Sequence, residues 1–378
     1  MTFEALELAP YLQYAIEKQN YKEPTAIQEQ AIPVILKGKD VLGIAPTGSG
    51  KTAAYALPII QHLEKIKTTK NRHINVLVLV PTRELAGQVQ EVFSSFTREL
   101  PFRLKSMAVH GGVSINPQMM GMNNVNVLVA TPGRLLELWE SKALHFDSLS
   151  TLVLDEADKM LNLGFKDEMD DIFALLPKRR QNLLFSATLS PELQAVERVL
   201  LRNPVTVKVE AKPVDIELIN QLAYSVIEEK RGPLLRHLIK SNDMKQVLVF
   251  TSSTYQTELV ADKLRKNGID AAAIHGKKSQ GSRRDSLTKF TNGKLRVLVS
   301  TDLLGRGIDI AFLPFVINYE LPRSPKDFVH RIGRTGRAEN PGQAITFVIP
   351  DAEHHFGVIQ KKMKRKVEIL DSTELDFR

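Results

Sequence analysis

A glycine-rich segment early in the chain has the residue types that phosphate binding requires. Residues 45–52 read Ala-Pro-Thr-Gly-Ser-Gly-Lys-Thr, after an apolar run and before a helical pattern. Glycines let the backbone bend closely enough for several N–H groups to converge on phosphate oxygens, and the helix start adds partial positive charge. Lys51 is expected to reach the β- and γ-phosphates, and the Thr52 hydroxyl to ligate Mg²⁺. The predicted nucleotide site comprises Thr47, Gly48, Ser49, Gly50, Lys51 and Thr52; the alternative is a chance glycine-rich turn.

A pair of carboxylates follows another apolar run. Residues 151–158 read Thr-Leu-Val-Leu-Asp-Glu-Ala-Asp. Asp155, at the end of the apolar run, can hold Mg²⁺ directly or through water, and Glu156 can orient or deprotonate an attacking water. This pair therefore predicts hydrolysis rather than transfer to an organic acceptor. Taken alone, the two carboxylates could instead be charges that favour a helix N-terminus.

Short apolar runs alternate with helical stretches, and these elements must position the side chains above. Strands are expected over residues 40–45, 75–80, 126–130, 151–154 and 182–185, with helices over 52–67, 83–98 and 191–201. The pattern then begins again, with strands expected over residues 246–250, 271–274, 296–299, 315–318 and 342–349. Runs that are apolar throughout suit parallel strands buried on both faces. We therefore predict an α/β fold with two consecutive doubly wound parallel-sheet domains.

The length of 378 residues also suits two domains. We expect the first domain over residues 1–209, a linker over 210–217 and the second domain over 218–378. A hydrophobic content of 43% with 25% charged residues is typical of a globular protein. The absence of cysteine excludes disulfides and thiolate metal sites.

Other bulk features bear on location and partners. The first ten residues do not resemble a signal peptide, and no apolar run approaches the roughly 20 residues that span a membrane. A cytoplasmic protein without membrane contact is expected. The formal net charge of +8 suits a polyanionic partner such as nucleic acid.

The acidic segment carries a family resemblance. Residues 155–158 spell Asp-Glu-Ala-Asp, and the chain resembles the DEAD-box family of ATP-dependent RNA helicases from Phe3 to about Ile349. The resemblance implies two tandem RecA-like domains, with an interdomain cleft that closes on ATP and RNA. A glutamine-containing segment, residues 24–28, resembles the motif with which the family reads adenine.

That motif implies adenine-site contacts from Tyr21, Thr25 and Gln28. A side-chain amide such as that of Gln28 can donate and accept at once, which matches the amino group and ring nitrogen of adenine. Tyr21 could stack on the base. Without the resemblance, residues 24–28 would be interpreted as a helix start capped by Thr25.

Several strand-end and loop segments resemble the family's RNA contacts. The contacts implied are Arg83, Gly112, Thr131 and Arg134 in the first domain, and Gly276, Arg283 and Thr301 in the second. Free backbone N–H groups and arginines suit a sugar–phosphate backbone rather than base edges. Each segment alone could equally be a helix cap. Residues 186–188, Ser-Ala-Thr, resemble the motif that couples hydrolysis to RNA separation, or else supply hydroxyls that satisfy backbone groups.

An arginine-rich segment lies in the second half of the chain. Residues 330–337 read His-Arg-Ile-Gly-Arg-Thr-Gly-Arg, and arginines three apart could present their planar cations together. The resemblance implies that Arg334 and Arg337 act as arginine fingers on the γ-phosphate, and that His330 connects them to the acidic segment. It also implies that Asp309 contacts the ribose. A basic surface patch is the alternative.

The resemblance as a whole implies RNA-stimulated ATP hydrolysis with Mg²⁺, coupled to local unwinding of short RNA duplexes or to remodelling of RNA–protein complexes. The catalytic residues would be Lys51, Asp155, Glu156, His330, Arg334 and Arg337. A monomer that grips one RNA strand by its sugar–phosphate backbone is expected, and no protein partner is indicated. The alternatives are an ATP-gated RNA clamp that serves as a scaffold and a processive DNA helicase, which would lack the Gln28 element.

Overall fold

A computed structural model describes residues 2–46, 48–66, 71–210, 219–302, 313–336 and 342–375. The chain divides into two compact units, Met1–Ala211 and Lys212–Arg378. Of the expected linker, residues 211–217 lie outside the described residues. No helix in the described part of the chain is both long and apolar enough to cross a membrane.

In the described part of the first unit, seven parallel strands form one sheet in the order β3-β4-β2-β5-β6-β1-β7. They are β1 (Val41–Ile44), β2 (Val76–Leu79), β3 (Ser106–Val109), β4 (Val127–Ala130), β5 (Thr151–Leu154), β6 (Gln181–Ser186) and β7 (Val205–Lys208). Alternate residues of one strand enter different cores, since Val76 and Val78 pack on one face and Leu77 and Leu79 on the other. Burial on both faces is why these strands are apolar throughout.

Helices cover both faces of this sheet. They are α1 (Pro10–Lys18), α2 (Ala26–Leu36), α3 (Lys51–Leu63), α4 (Arg83–Thr97), α5 (Ile115–Gly121), α6 (Pro132–Glu140), α7 (Ala157–Asn162), α8 (Lys166–Leu175) and α9 (Pro191–Leu200). Local sequence starts several of them, because the Thr82 and Ser190 side chains accept hydrogen bonds from Leu85 N and Leu193 N, each at 3.2 Å. The predicted helix over residues 52–67 begins one residue earlier and ends at Leu63.

The second unit repeats this architecture. Seven described strands form a parallel sheet in the order β10-β11-β9-β12-β13-β8-β14. They are β8 (Ile219–Ser225), β9 (Val247–Thr251), β10 (Ala271–Ile274), β11 (Val297–Thr301), β12 (Phe315–Asn318), β13 (Gly342–Val348) and β14 (Glu368–Asp371). The helices are α10 (Arg231–Ser241), α11 (Thr254–Lys266), α12 (Gln280–Thr291), α13 (Pro325–Ile332) and α14 (Glu353–Met363).

The predicted class of two doubly wound parallel-sheet domains is confirmed. Four strands were not expected from the sequence: β3, β7, β8 and β14. Three of them lie at sheet edges, where one side lacks a neighbour and polar residues are tolerated, so the apolar run that marks a central strand is missing. In each sheet all strands run parallel, so the loops that follow them meet at one edge, where ligands of open α/β sheets bind.

Candidate active site

The predicted phosphate-binding loop connects β1 to α3. Gly48 and Gly50 adopt φ values of 79° and 89°, in the left-handed region that favours glycine. A Cβ on Gly50 would lie 2.5 Å from Gln28 Nε2, so the position is closed to side chains for steric reasons as well. Thr47, predicted to belong to this loop, lies outside the described residues.

Lys51 opens α3 and is only 7% exposed. Its Nζ donates to the carbonyl oxygens of Ala45 and Pro46, at 2.8 Å in each case. Burial lowers the pKa of the Lys51 ammonium, and the negative charges of Asp155 and Glu156 oppose that shift. The predicted phosphate-binding lysine is therefore held against the loop, beside the two carboxylates that the sequence singled out.

Asp155 follows β5 and is 2% exposed. One of its oxygens, Oδ2, accepts a hydrogen bond from the Tyr55 hydroxyl at 2.8 Å. Burial raises the pKa of the Asp155 carboxyl, and the positive charge of Lys51 and the Tyr55 hydrogen bond oppose the rise. Tyr55 was not predicted from the sequence. Its position four residues after Lys51, on the same face of the helix, was the available signal.

Glu156 occupies the N-cap of α7 with φ 53° and ψ 44°. A left-handed conformation is uncommon for a residue with a side chain, and such residues cluster at functional sites. Its Oε2 accepts a hydrogen bond from Lys159 Nζ at 2.7 Å. Burial raises the pKa of the Glu156 carboxyl, whereas the Lys159 charge lowers it. A more basic carboxylate is better suited to taking a proton from water.

The strand-end hydroxyls of residues 186–188 separate into two roles. The Ser186 hydroxyl donates to the Thr188 carbonyl oxygen at 2.8 Å, so this hydroxyl satisfies a backbone acceptor. The Thr188 hydroxyl instead donates to Asp158 Oδ2 at 2.8 Å. A direct side-chain contact therefore connects the end of β6 to the acidic segment.

Two of the predicted adenine-site residues, Thr25 and Gln28, lie next to the loop. Gln28 is buried, its Oε1 accepts from Thr25 N at 2.9 Å, and its Nε2 donates to the Gly50 carbonyl oxygen at 3.2 Å. Thr25 and Gln28 form a reciprocal capping box at the start of α2, so the interpretation as a capped helix also holds. The Tyr21 ring packs against Phe3 and Phe96, at centroid distances of 6.3 and 5.6 Å.

The first-unit residues predicted to contact RNA converge on one loop. The Arg83 guanidinium lies against Gly112, where an added Cβ would approach Nη1 to 1.9 Å. Arg134 is 6% exposed and donates from Nη2 to the Val113 carbonyl oxygen and from Nε to Glu137 Oε2, each at 2.9 Å. Arg134 thus contacts the backbone of the loop that contains Gly112. Thr131 is the N-cap of α6.

The second-unit residues occupy the corresponding edge of their sheet. Gly276 is exposed after β10, and Arg283 is a buried residue of α12. Thr301 ends β11 and pairs in register with Thr251 of β9. Gly276 follows β10, Thr301 ends β11 and Thr251 ends β9, and these three strands are adjacent in the sheet.

The arginine-rich segment contains two kinds of arginine. Arg331, in α13, is 2% exposed and donates to both carboxylate oxygens of Asp302, at 2.5 and 2.8 Å. It also donates to Asn318 Oδ1 at 3.2 Å and to the Glu320 carbonyl oxygen at 2.6 Å. Arg334 lies beyond the end of α13 and is half-buried.

The other second-unit residues predicted to complete the nucleotide site are either exposed or outside the described residues. His330 is exposed on α13. Arg337 and Asp309 lie outside the described residues. The anchoring role of Arg331 was not predicted, because nothing local distinguishes this residue from Arg334.

Known proteins are similar to this chain in sequence and in fold. The chain matches the family model for DEAD/DEAH box helicases over residues 25–196 and that for the helicase conserved C-terminal domain over residues 229–339. It is 39% identical to the ATP-dependent RNA helicase CshA of Limosilactobacillus reuteri, over 96% of this chain and 72% of the relative. It is 37% identical to the DEAD-box ATP-dependent RNA helicase CshA of Bacillus subtilis, over 100% and 75%.

This chain belongs to the DEAD-box family of ATP-dependent RNA helicases. Solved structures agree. One is Saccharomyces cerevisiae Dbp5 bound to RNA and ADP BeF3, 28% identical with a TM-score of 0.84, covering 99% of this chain and 96% of that one. Another is a DEAD box protein from Methanococcus jannaschii, 35% identical with a TM-score of 0.54, covering 98% and 99%.

The residues of this DEAD-box protein fit a nucleotide and Mg²⁺. The Ser49 hydroxyl is buried and has no hydrogen-bond partner among the described residues, so the loop retains polar capacity for a ligand. The Thr52 hydroxyl and the Asp155 carboxylate are oxygen donors, and Mg²⁺ is usually held by one or two carboxylates together with substrate phosphates and water. Within the described ranges, no group of three or more His, Cys, Asp or Glu residues could hold a metal by itself.

The two arginines of α13 and its following turn predict different mutational effects. Arg331→Met should lower the free energy of unfolding by about 3 kcal/mol, because it leaves Asn318 and the Asp302 carboxylate without their buried partner. The lower end of the usual range is expected since Asp302 is 31% exposed and can reach water. Urea unfolding measures this, with the exposed Arg323→Ala as control, expected to stay within about 0.5 kcal/mol. Equal stability of both variants would contradict the anchoring role.

Proposed function

We propose that this DEAD-box helicase hydrolyses ATP when it binds single-stranded RNA, and that the cycle separates short RNA duplexes locally. The observation that carries the proposal is the buried cluster at the end of β5. There Lys51, Asp155 and Glu156 lie together, and the Thr188 hydroxyl donates to Asp158. The Thr188 hydrogen bond thus attaches the strand-end motif to the acidic segment that carries Asp155 and Glu156.

The nucleotide is held by residues of the first unit. Lys51 binds phosphate oxygens. Gln28, together with Tyr21 and Thr25, binds adenine, because the Gln28 amide can donate a hydrogen bond to the base and accept one from it. Thr52 and Asp155 would hold Mg²⁺, which neutralises phosphate charge when bound. Glu156, made more basic by burial, takes the proton of the attacking water.

RNA is held through its sugar–phosphate backbone. Arg83 and Gly112 meet at one loop of the first unit, and Thr131 lies at the start of a helix, where free N–H groups favour phosphate. Gly276, Arg283 and Thr301 supply the second-unit contacts. Because both units grip one strand, their closure bends it into a shape that a duplex cannot follow, and the strands separate.

The second unit completes the hydrolytic site on closure. Arg334 and Arg337 stabilise the charge that develops on the γ-phosphate, His330 connects them to the acidic segment, and Asp309 contacts the ribose. Dividing the catalytic groups between two units explains why RNA stimulates turnover, since only the RNA-bound, closed arrangement brings them together.

Phosphate release tests this function. Single-stranded RNA should stimulate ATP hydrolysis by the full chain, and DNA of the same sequence should not, because DNA lacks the 2′-hydroxyls. A short RNA duplex should separate only with ATP. Stimulation by DNA equal to that by RNA would contradict the RNA assignment, and stable ATP-dependent RNA retention without strand separation would indicate a clamp.

A pair of variants on α4 sharpens the test. Arg83→Ala should raise the RNA concentration that half-stimulates hydrolysis, and should reduce the slope of log affinity against log salt by about 1. Arg98→Ala removes an arginine from the other end of the same helix, where its side chain is 64% exposed and pairs with Glu91. Arg98→Ala should leave both quantities unchanged.

A further inference from the structure

A buried phenol lies beneath the two residues proposed to hold Mg²⁺. Tyr55 is on α3, three residues after Thr52, and is 0% exposed. Its hydroxyl donates to Asp155 Oδ2 at 2.8 Å, across 100 residues of sequence. Thr52, one turn earlier on the same helix face, lies beside the same phenol. One hydroxyl therefore connects a residue of α3 to a residue that follows β5.

The chemistry of a phenol suits both contacts. A tyrosine hydroxyl has one proton to donate and oxygen lone pairs to accept with. The Tyr55 hydroxyl donates this proton to Asp155 in the hydrogen bond, and its lone pairs remain available to the neighbouring Thr52 hydroxyl.

The ring of Tyr55 is held on two sides. Its centroid lies 5.3 Å from that of Phe185 in β6 and 6.3 Å from that of Phe93 in α4. Both phenylalanines are fully buried. A ring packed in this way cannot swing to another rotamer without opening a cavity, so the hydroxyl has a fixed position. Because the hydroxyl fixes Oδ2, it also fixes the rotation of the Asp155 carboxylate.

We propose that Tyr55 is a positioning residue for Mg²⁺, which orients Asp155 through its hydroxyl without touching the metal. This inference rests on the proposed function, in which Asp155 and Thr52 hold the ion. Hydrogen bonds to metal-binding groups commonly change metal affinity by about 10–100-fold when they are removed. Tyr55 sets the Mg²⁺ requirement of nucleotide binding, whereas Lys51 and the glycine loop set the affinity for the phosphates themselves.

The test is Tyr55→Phe in the full chain, which removes one oxygen and keeps the packed ring. Binding of a fluorescent ADP analogue is titrated in EDTA and at a series of Mg²⁺ concentrations. The affinity in EDTA should stay within about twofold of the unmodified protein. The Mg²⁺ concentration that half-restores tight binding should rise about 10–100-fold.

Tyr11→Phe is the matched control. The Tyr11 hydroxyl also donates to a carboxylate at 2.8 Å, that of Glu64, but on the exposed surface. This variant loses the same type of hydrogen bond and should leave the Mg²⁺ titration unchanged. A second readout is the unfolding temperature, which should rise further when Mg²⁺ is added to the protein with ADP. This further rise should be smaller for Tyr55→Phe and unchanged for Tyr11→Phe.

Two results would overturn the proposal. One is an unchanged Mg²⁺ titration in Tyr55→Phe. The other is an equal loss of ADP affinity with and without Mg²⁺, since this would mean that the hydroxyl supports the whole pocket rather than the metal site. Failure of the proposed function has a separate sign: the unmodified protein would bind ADP with no response to Mg²⁺.

Discussion

Glu156→Gln should bind ATP normally and hydrolyse it about 10²–10⁴ times more slowly, the range that general-base catalysis contributes. The substitution keeps the shape of the side chain and removes its ability to take a proton. The Glu156 side chain is buried, sits in a left-handed backbone conformation and pairs with Lys159 at 2.7 Å, so an amide should occupy the same position. Ground-state phosphate contacts through Lys51 are untouched, which is why binding survives.

Single-turnover phosphate release with saturating RNA measures the loss, and binding of a fluorescent ATP analogue measures affinity. Glu192→Gln is the control, because Glu192 also lies near a helix N-terminus but is exposed on α9. Burial raises the pKa of Glu156, so turnover by the unmodified protein should decline on acidification at a higher pH than an exposed glutamate would give. Normal turnover by Glu156→Gln would remove this residue from the mechanism.

Arg334→Ala should slow hydrolysis by about 10³–10⁵, the contribution typical of an arginine finger, with a much smaller effect on nucleotide affinity. Such a group acts on charge that appears only in the transition state. The structure shows how its position is maintained. The Arg334 carbonyl oxygen accepts from Leu313 N at 3.0 Å, and the preceding helix is anchored by Arg331.

Arg334 can be distinguished from its neighbours by comparing three variants. Arg334→Ala should lose turnover and lower the free energy of unfolding less than Arg331→Met does. Arg331→Met should mainly lower the free energy of unfolding. Arg323→Ala should change neither turnover nor the free energy of unfolding. The measurements are phosphate release under saturating ATP and RNA, and urea unfolding of the same preparations. Should Arg334→Ala hydrolyse ATP at the normal rate, the arginine-rich segment would be a basic surface patch.

The sequence alone predicted the parallel doubly wound architecture and the position of the phosphate loop. Both depend on local patterns. Short apolar runs between helical stretches indicate strands buried on both faces, and Gly48 and Gly50 supply the left-handed turns that the loop uses. The weaker patterns of edge strands such as β7 and β14 were missed, because an edge strand does not need the same burial.

The sequence also indicated Lys51, Asp155 and Glu156, since each directly follows or opens a recognisable element. The side-chain partners of these residues were beyond its reach. Tyr55 meets Asp155 because β1, which leads into α3, and β5 are separated in the sheet only by β6. The spacing of four residues between Lys51 and Tyr55 is a local signal, but it does not encode the contact with Asp155.

Side-chain direction was likewise decided by the tertiary structure. Arg331 and Arg334 are three residues apart in one motif, yet α13 ends at Ile332, so one arginine is fixed within the unit and the other lies in the turn beyond. Burying a guanidinium requires a complete set of acceptors, and for Arg331 these come from Asp302, just after β11, and from Asn318 and Glu320, at the end of β12. Sequence spacing shows which residue types are near one another along the chain, but the acceptors that determine their roles are assembled only when distant segments fold together.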